Sequence, residues 1–200
     1  MNGESLVETL CVGDLIQTKD NGYKPILWIG RKEFSGQALS EKPKLNLIRI
    51  CKNALAPNFP KEDLVVSQQH RIVVNSKIIA RMYEKEEILV AAKDLLPLKG
   101  VEVISPPSGV KYIHFMSYAH EIIYANGAEA GSLFLCPEAM KTIHKEAREE
   151  IGDIFPCLMK TQTKIFPAAR LLVKGKRIRK LIERHIKNDN PLFCATHKSA

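Results

Sequence analysis

The sequence predicts a mainly β fold followed by two helices, because three kinds of local pattern agree. Short runs of β-branched and apolar residues recur between Leu6 and about Leu135. Asn-Gly pairs at 21–22 and 126–127 separate some of these runs, and this dipeptide tolerates the positive φ angles of tight hairpin turns. After Pro137 the composition changes to Ala, Glu, Lys and Arg, which favour helix.

The strands are predicted one by one from their composition. Residues 14–18 and 25–29 flank Asp20-Asn21-Gly22 and are predicted to form a hairpin. Residues 45–50 alternate well enough for a half-buried strand. The other predicted strands are short apolar runs at residues 64–66, 71–74, 88–91, 112–116 and 121–124. Many short strands with frequent turn residues are typical of an all-β body.

Two helices are predicted in the C-terminal part. The first covers residues 138–151. The second begins near Pro167, since proline is tolerated in the first turn, and Gly175 weakens its middle. Its apolar residues, which lie largely on one face, are Leu171, Ile178, Leu181, Ile182 and Ile186. The predicted organisation is a β-domain over residues 1–136 and a basic helical extension over residues 137–200.

Composition argues against several classes of protein. The five cysteines are scattered without a Cys-x-x-Cys pair, which argues against a disulfide framework and a zinc site. Cys11, Cys51 and Cys136 are expected to be small buried apolar residues.

No apolar run approaches the roughly 20 residues that span a bilayer, and the first residues lack the basic start and apolar stretch of a signal peptide. The compartment is left unassigned, with the cytoplasm as the default expectation.

The basic charge is concentrated in one segment. Residues 157–187 contain ten Lys or Arg and a single acid, Glu183, so they carry a charge of +9, and the other residues sum to −1 within a net charge of +8. The default interpretation is the solvated face of an amphipathic helix. Binding to nucleic acid or anionic lipid is the alternative. The even spread of charge, without interleaved aromatic residues, favours the default.

Several short motifs carry chemical information when they are taken together. They are Val12-Gly13-Asp14, the block from Ser67 to Arg71, Tyr112-Ile113-His114, His120-Glu121 and Asn126-Gly127. In this order and spacing the chain resembles the bacterial Hint family, the self-cleaving modules related to hedgehog proteins and inteins, over roughly residues 3–135. The resemblance implies a horseshoe-like fold of short twisted strands. It also implies autoproteolysis by an N-to-S or N-to-O acyl shift, with no metal or cofactor. No His-Asn pair ends the domain, so splicing through asparagine cyclisation is not expected.

The chemistry of such a cleavage suggests roles for the polar residues of these motifs. An acyl shift needs a thiol or hydroxyl beside the scissile carbonyl and a proton donor for the departing nitrogen. Histidine suits the second role because its pKa lies near neutrality. The resemblance implies that His70 protonates the scissile amide, with Ser67 where the family usually has threonine. His120 matches a histidine of the family's later block. His114, where many members carry aspartate, is a candidate second acid or base.

Each of these residues also has an ordinary structural interpretation. Ser67 alone would cap a turn and His70 would occupy a strand edge, although the neighbouring motifs favour the family site. His114 is equally consistent with a solvent-facing strand residue. The ordinary interpretation of His120 is one member of a turn pair, and a functional role is slightly favoured over it. The remaining histidines, including His185, are expected to have no functional role.

The chain departs from the family pattern at its start. Members open with a Cys or Ser nucleophile on a strand ahead of the elements that match Gly3-Glu4 and Val12-Gly13-Asp14, and this sequence begins at that point. Cys11 lies one strand too late to replace that residue. We therefore expect an N-terminally truncated autoprocessing domain, degenerate or inactive as it stands, whose substrate in a complete protein is its own upstream polypeptide. The alternative is a non-catalytic β-domain that acts as an interaction module through its basic helical tail.

Overall fold

The chain folds mainly as β-structure, as predicted. A computed structural model describes residues 3–133, Glu149, Asp153 and residues 167–194. The strands within these residues are β1 (Leu15–Thr18), β2 (Gly22–Pro25), β3 (Trp28–Phe34), β4 (Leu47–Ile50), β5 (Leu64–Ser67), β6 (Arg71–Asn75), β7 (Glu87–Ala91), β8 (Val101–Ile104), β9 (Val110–Met116), β10 (Ile122–Ala125), β11 (Ala128–Gly131) and β12 (Leu171–Leu172). The α-helices described from end to end are α1 (Gly36–Glu41), α2 (Lys77–Tyr83) and α3 (Lys176–Lys187).

The chain forms two compact units. The first unit comprises Met1–Asn46, Ser105–Ile123 and Gly131–Ala169. The second unit comprises Leu47–Ile104, Tyr124–Ala130 and Arg170–Ala200. Both units draw on the predicted β-domain, and the domain boundary at residue 136 stays a prediction.

The first unit is built on two antiparallel strand arrangements. Strand β1 pairs with β2 and with β10, so that Thr18 lies opposite Gly22 on one side and Ile123 on the other. Strand β3 pairs with β9 along its whole length, from Trp28 opposite Met116 to Phe34 opposite Val110. The buried side chains of this unit include Ile26, Leu39, Leu45, Tyr112 and Ile122. The hydroxyl of buried Tyr112 donates to the carbonyl of Leu45 at 2.7 Å, which ties β9 to the turn before β4.

The second unit contains two sheets. One has the order β5-β4-β8, and β4 is antiparallel to both neighbours. In the other, β6 lies between β7 and β11, and β12 extends it by a parallel pairing with β7. The central strands β6 and β7 are almost continuously apolar, and their side chains from Ile72 to Val74 and from Ile88 to Val90 are fully buried. This burial on both faces explains why these strands lack an alternating pattern.

The two Asn-Gly turns differ in backbone conformation. At 126–127 both residues have positive φ, +49° and +75°, which is the conformation expected of a tight hairpin turn. At 21–22 only Gly22 has positive φ, +65°, because three residues rather than two separate the paired positions Thr18 and Gly22. A hairpin at Asn21-Gly22 is confirmed, but its second strand is Gly22–Pro25 and not residues 25–29. Trp28 and Ile29 instead begin β3, which pairs with β9.

Helices α1 and α2 were not predicted from the sequence. Each begins after a serine whose hydroxyl accepts a hydrogen bond from a backbone N–H of the first turn, Ser35 from Ala38 and Ser76 from Ile79. The capping serines are therefore the sequence feature that could have located both helices. Each helix is too short for a periodic apolar pattern to identify it.

The basic helix begins later than predicted. Gly175 has φ +66° and ψ −144°, so it precedes α3 as its N-cap rather than weakening its middle. Leu171 lies in β12 and pairs with Ile88, and Ile186 is exposed rather than buried. The buried face of α3 consists of Ile178, Leu181, Ile182 and His185.

The other predicted helix, residues 138–151, lies outside the described residues except for Glu149. Glu149 and Asp153 are both helical, and the ammonium group of Lys44 lies 3.6 Å and 2.9 Å from their carboxylates. Among the described parts of the chain, no helix has the length and apolar character that crossing a membrane requires.

Candidate functional site

The turn from Ser67 to His70 connects β5 to β6, as the sequence predicts. Strand β5 ends at Ser67, which lies opposite Leu47 of β4, and β6 begins at Arg71. The backbone N–H of His70 donates to the carbonyl of Ser67 at 3.1 Å and closes the turn. The serine and the histidine therefore stand at the two ends of one short turn, between the half-buried β5 and the mostly buried β6.

The backbone of this turn is held from the neighbouring segment of the chain. The N–H of Ala92 donates to the carbonyl of His70 at 2.9 Å, and the N–H of Lys93 donates to the carbonyl of Gln68 at 3.0 Å. Both donors belong to the 3-10 turn Ala92–Leu95, which directly follows β7. Because β7 itself pairs with β6, the turn is anchored on a buried strand rather than displayed on a loose loop.

The side chain of Ser67 is buried without a hydrogen-bond partner among the described residues, which is unusual for a hydroxyl group. Its side chain is only 3% exposed, and its Oγ has no hydrogen-bond partner among the described residues. A turn cap would accept a backbone N–H through this oxygen, so the ordinary interpretation of Ser67 is not supported. Leaving a buried hydroxyl unsatisfied costs about 1–3 kcal/mol, and such a group in a native structure requires an explanation, of which a functional role is one.

His120 is held in a defined orientation in the first unit. The backbone N–H of Ala169 donates to its Nδ1 at 3.2 Å, and the residue is 5% exposed. Because Nδ1 accepts this hydrogen bond, it carries no proton in the neutral ring, and the proton must lie on Nε2. His120 is therefore arranged as a hydrogen-bond donor through Nε2.

Ser132 fixes the segment that carries His120. The N–H of Glu121 donates to Ser132 Oγ at 3.0 Å, and the N–H of Ser132 donates to the carbonyl of Glu121 at 2.9 Å. The buried carboxylate of Glu121 accepts from the amide of Asn21 at 2.8 Å. The sequence indicated His120 and Glu121 as a motif, but it did not identify Ser132 as their partner, because strand β11, which precedes Ser132, was not among the predicted strands.

His114 lies on β9, directly opposite Gly30 of β3. Its ring is nearly parallel to that of Tyr112, two residues earlier on the same strand, with 6.3 Å between the ring centroids. The side chain is partly buried, so it is not the fully solvent-facing residue of the ordinary interpretation. Loss of water around the ring lowers the pKa of His114 to about 4, so the imidazole is neutral at pH 7.

Comparison with known proteins decides the family. The family model of the Hint domain matches residues 1–137. The chain belongs to the Hint domain family. A search of curated proteins found no match. The match supports the Hint assignment, and the structure shows the predicted mainly β fold with a C-terminal helix.

In this Hint domain the Val12-Gly13-Asp14 motif forms the turn that leads into β1. The carboxylate of Asp14 accepts from the N–H of Cys11 at 2.8 Å, and the N–H of Gly13, whose φ is +96°, donates to the carbonyl of Ile26 at 2.8 Å. Cys11 is exposed, so the expectation that it is a buried apolar residue is wrong. Cys51 is half-buried, and Cys136 lies outside the described residues.

The four predicted site residues fall into the two units of the Hint domain in pairs. Ser67 and His70 belong to the second unit and are brought together by one turn. His114 and His120 belong to the first unit, one on β9 and the other in the segment between β9 and β10. Within the described residues, no three His, Cys, Asp or Glu side chains are grouped so that they could hold a metal ion.

Proposed function

We propose that this Hint domain performs self-cleavage by an acyl shift at a peptide bond on its N-terminal side. The observation that carries the proposal is the Ser67–His70 turn, with its buried hydroxyl and its backbone held by two hydrogen bonds from the 3-10 turn Ala92–Leu95. A site built for one bound peptide bond would hold such a hydroxyl in place before the bond arrives.

The first step exchanges an amide for a thioester or an ester. A thiol or hydroxyl group attacks the preceding carbonyl carbon, the C–N bond breaks, and the nucleophile's proton ends on the nitrogen, which leaves as a free amine. Water or another nucleophile then opens the thioester or ester. Since an amide nitrogen leaves poorly unless it is protonated, the step depends on an acid that is held beside that nitrogen.

His70 is the acid in this proposal, and Ser67 polarises or orients the same peptide bond. The carbonyl groups of Gln68 and His70 both accept backbone hydrogen bonds, so the imidazole of His70 is attached to a rigid segment of main chain. The hydroxyl of Ser67, which lacks a partner among the described residues, is available to donate to the scissile carbonyl. Rigid donors of this kind lower barriers because they need no rearrangement when charge develops.

His120 and His114 have different capacities. With Nδ1 engaged by Ala169, His120 offers the Nε2 proton to a developing negative charge. With a pKa of about 4, His114 is almost entirely neutral at pH 7 and is a poor reservoir of protons. We therefore assign acid catalysis to His70, charge stabilisation to His120, and at most hydrogen-bond acceptance to His114.

The nucleophile is proposed to come from polypeptide that precedes Gly3. Cys11 does not fit the role, because its N–H is engaged by Asp14 in the turn before β1 and its exposed thiol donates to the carbonyl of Thr9, 3.6 Å away. Cys11 is therefore not assigned as the nucleophile of the proposed step.

A fusion tests the proposal directly. A reporter domain and a short strand that opens with cysteine are joined to the N-terminal side of Gly3, and cleavage at the reporter–cysteine junction is followed by mass spectrometry, with and without dithiothreitol. We expect thiol-stimulated release of the reporter. Replacing the introduced cysteine by alanine should abolish release, and His70→Ala should reduce it by about 10²–10⁴-fold, the usual contribution of a positioned acid.

Matched variants separate catalysis from folding. Gln69→Ala changes the same turn without removing an acid and should leave cleavage intact. Ser67→Ala removes a hydroxyl that forms no hydrogen bond among the described residues, so the protein should stay at least as stable while it cleaves more slowly. If a folded fusion shows no release even with dithiothreitol, or if His70→Ala cleaves like the parent, the proposal fails.

A further inference from the structure

The exposed side of α3 carries a row of cations. Five residues define what we call the α3 basic face, and all five are exposed: Lys176, Arg179, Lys180, Arg184 and Lys187. Four of them, at 176, 180, 184 and 187, recur every three or four residues, so they place one cation on each helical turn, about 5.4 Å apart along the axis. Glu183 is the only acid of this helix.

The charge of the α3 basic face is not neutralised by any ion pair among the described residues of the second unit. In the described part of the chain, none of the five residues forms an ion pair. Other cations of the same unit do find acids, as Arg170 does with Glu87 at 2.8 Å. Because uncompensated charges of one sign repel one another and raise the local potential, the face attracts a polyanion.

The apolar side of α3 is already occupied. Ile178, Leu181 and Ile182 are buried, and the helix packs against α2 and against the 3-10 turn Ala92–Leu95. A helix that lies in a membrane surface needs a free apolar face to insert between lipids. Here the only exposed large hydrophobic residue of α3 is Ile186. The surface therefore fits phosphate groups presented by a polymer better than it fits a bilayer.

The helix is also held rigidly in place. Arg177 donates to the carbonyl of Met82 at 3.1 Å, and its guanidinium lies 4.9 Å from the ring centroid of Tyr83, at the end of α2. At the other end, Nε2 of buried His185 lies 2.8 Å from Ser76 Oγ, which caps α2. A face that is ordered in advance loses little conformational entropy when it binds a partner.

We propose that the α3 basic face binds the phosphate backbone of double-stranded nucleic acid without sequence specificity. Lysine and arginine contacts to phosphate supply affinity but read no sequence, and they need only a row of exposed cations. Recognition of single strands usually adds aromatic side chains on which bases stack, and α3 contains none. This binding is independent of the proposed self-cleavage, because it uses neither His70 nor Ser67.

Salt dependence provides the test. The 200-residue chain is titrated into a fluorescently labelled DNA duplex of random sequence, and affinity is measured by anisotropy at several salt concentrations. If the four cations that lie one per turn each contact a phosphate, the logarithm of the binding constant should fall against the logarithm of salt with a slope of about −3.6. The double variant Lys180→Gln, Arg184→Gln should bind more weakly, with a slope less steep by about 2.

A matched control removes the same charge elsewhere. The double variant Lys32→Gln, Lys42→Gln changes two exposed lysines of the first unit and should bind the duplex like the parent. The proposal is overturned if no binding is seen at low salt, or if both double variants lose affinity equally. It is also overturned if the chain ignores the duplex and binds vesicles of phosphatidylserine and phosphatidylcholine instead.

Discussion

Acid should destabilise the first unit through His114, and the size of the effect follows from its pKa. The free imidazole has a pKa of 6.5, and burial lowers it to about 4 in the folded protein. Between these values the imidazole is protonated in the unfolded chain but neutral in the folded protein, so the free energy of unfolding falls as pH falls. Above about pH 7.5 both states are neutral, and the contribution is constant.

At pH 5 this difference in proton binding lowers the free energy of unfolding by about 2 kcal/mol. At that pH the ring is almost fully protonated in the unfolded chain and about one-tenth protonated in the folded protein. The ring is only partly buried, and solvent screening reduces this figure to about 1–2 kcal/mol. Trp28, the single tryptophan, starts the strand that pairs with His114's own strand, so its fluorescence reports unfolding of this unit.

Urea unfolding of the parent and of His114→Gln at pH 8 and at pH 5 measures the effect. At pH 8 the difference between the two free energies of unfolding contains only the packing cost of glutamine. Subtracting it from the same difference at pH 5 leaves the contribution of proton binding. We expect the variant to lose about 1–2 kcal/mol less than the parent on acidification. An equal loss in both proteins, or an NMR titration that places the pKa of His114 near 6.5, would refute the reasoning.

Three further substitutions test the packing. Gly109→Ala should lower the melting temperature more than Gly13→Ala. Both glycines have positive φ, which costs an alanine about 1–2 kcal/mol, but of the two only position 109 would also place a Cβ 2.2 Å from a backbone oxygen. Equal melting temperatures of the two variants would contradict this. Ser76→Ala should lower the free energy of unfolding by about 1–3 kcal/mol, since it removes the cap of α2 and a partner of buried His185, which circular dichroism in urea can measure. Tyr112→Phe should cost about 1 kcal/mol by the same assay, and an unchanged midpoint would count against its buried hydrogen bond.

The sequence predicted several strands because their determinants are local, but it did not predict β8, β11 or β12. Strands β6, β7 and β9 are short β-branched or aromatic runs next to turn residues, and no tertiary information is needed to recognise them. Helix α3 was recognised by its amphipathic pattern, but its start was misplaced, since Leu171 and Leu172 form β12 beside β7 and Gly175 takes a positive φ. Helices α1 and α2 were not predicted because their six and seven residues make less than two full turns, too few for a periodic apolar pattern.

For the candidate site, the sequence indicated residues but not their environments. The turn between Ser67 and His70 follows from local composition, whereas the burial of the serine depends on neighbouring strands. The hydrogen bond from Ala169 to His120 joins positions 49 residues apart, and the pKa of His114 depends on water excluded by the rest of the first unit. Such long-range properties decide chemical roles, and residue spacing alone does not contain them.

The comparison of two serines shows where functional information resides in this molecule. Ser67 and Ser132 are both almost fully buried, at 3% and 7% exposure. The hydroxyl of Ser132 accepts a backbone hydrogen bond from Glu121 and so stabilises the fold, whereas that of Ser67 has no partner among the described residues. Folding alone would favour alanine over an unsatisfied serine. A serine at position 67 therefore makes physical sense if a group from outside the described chain completes its hydrogen bonding, as a scissile peptide bond would.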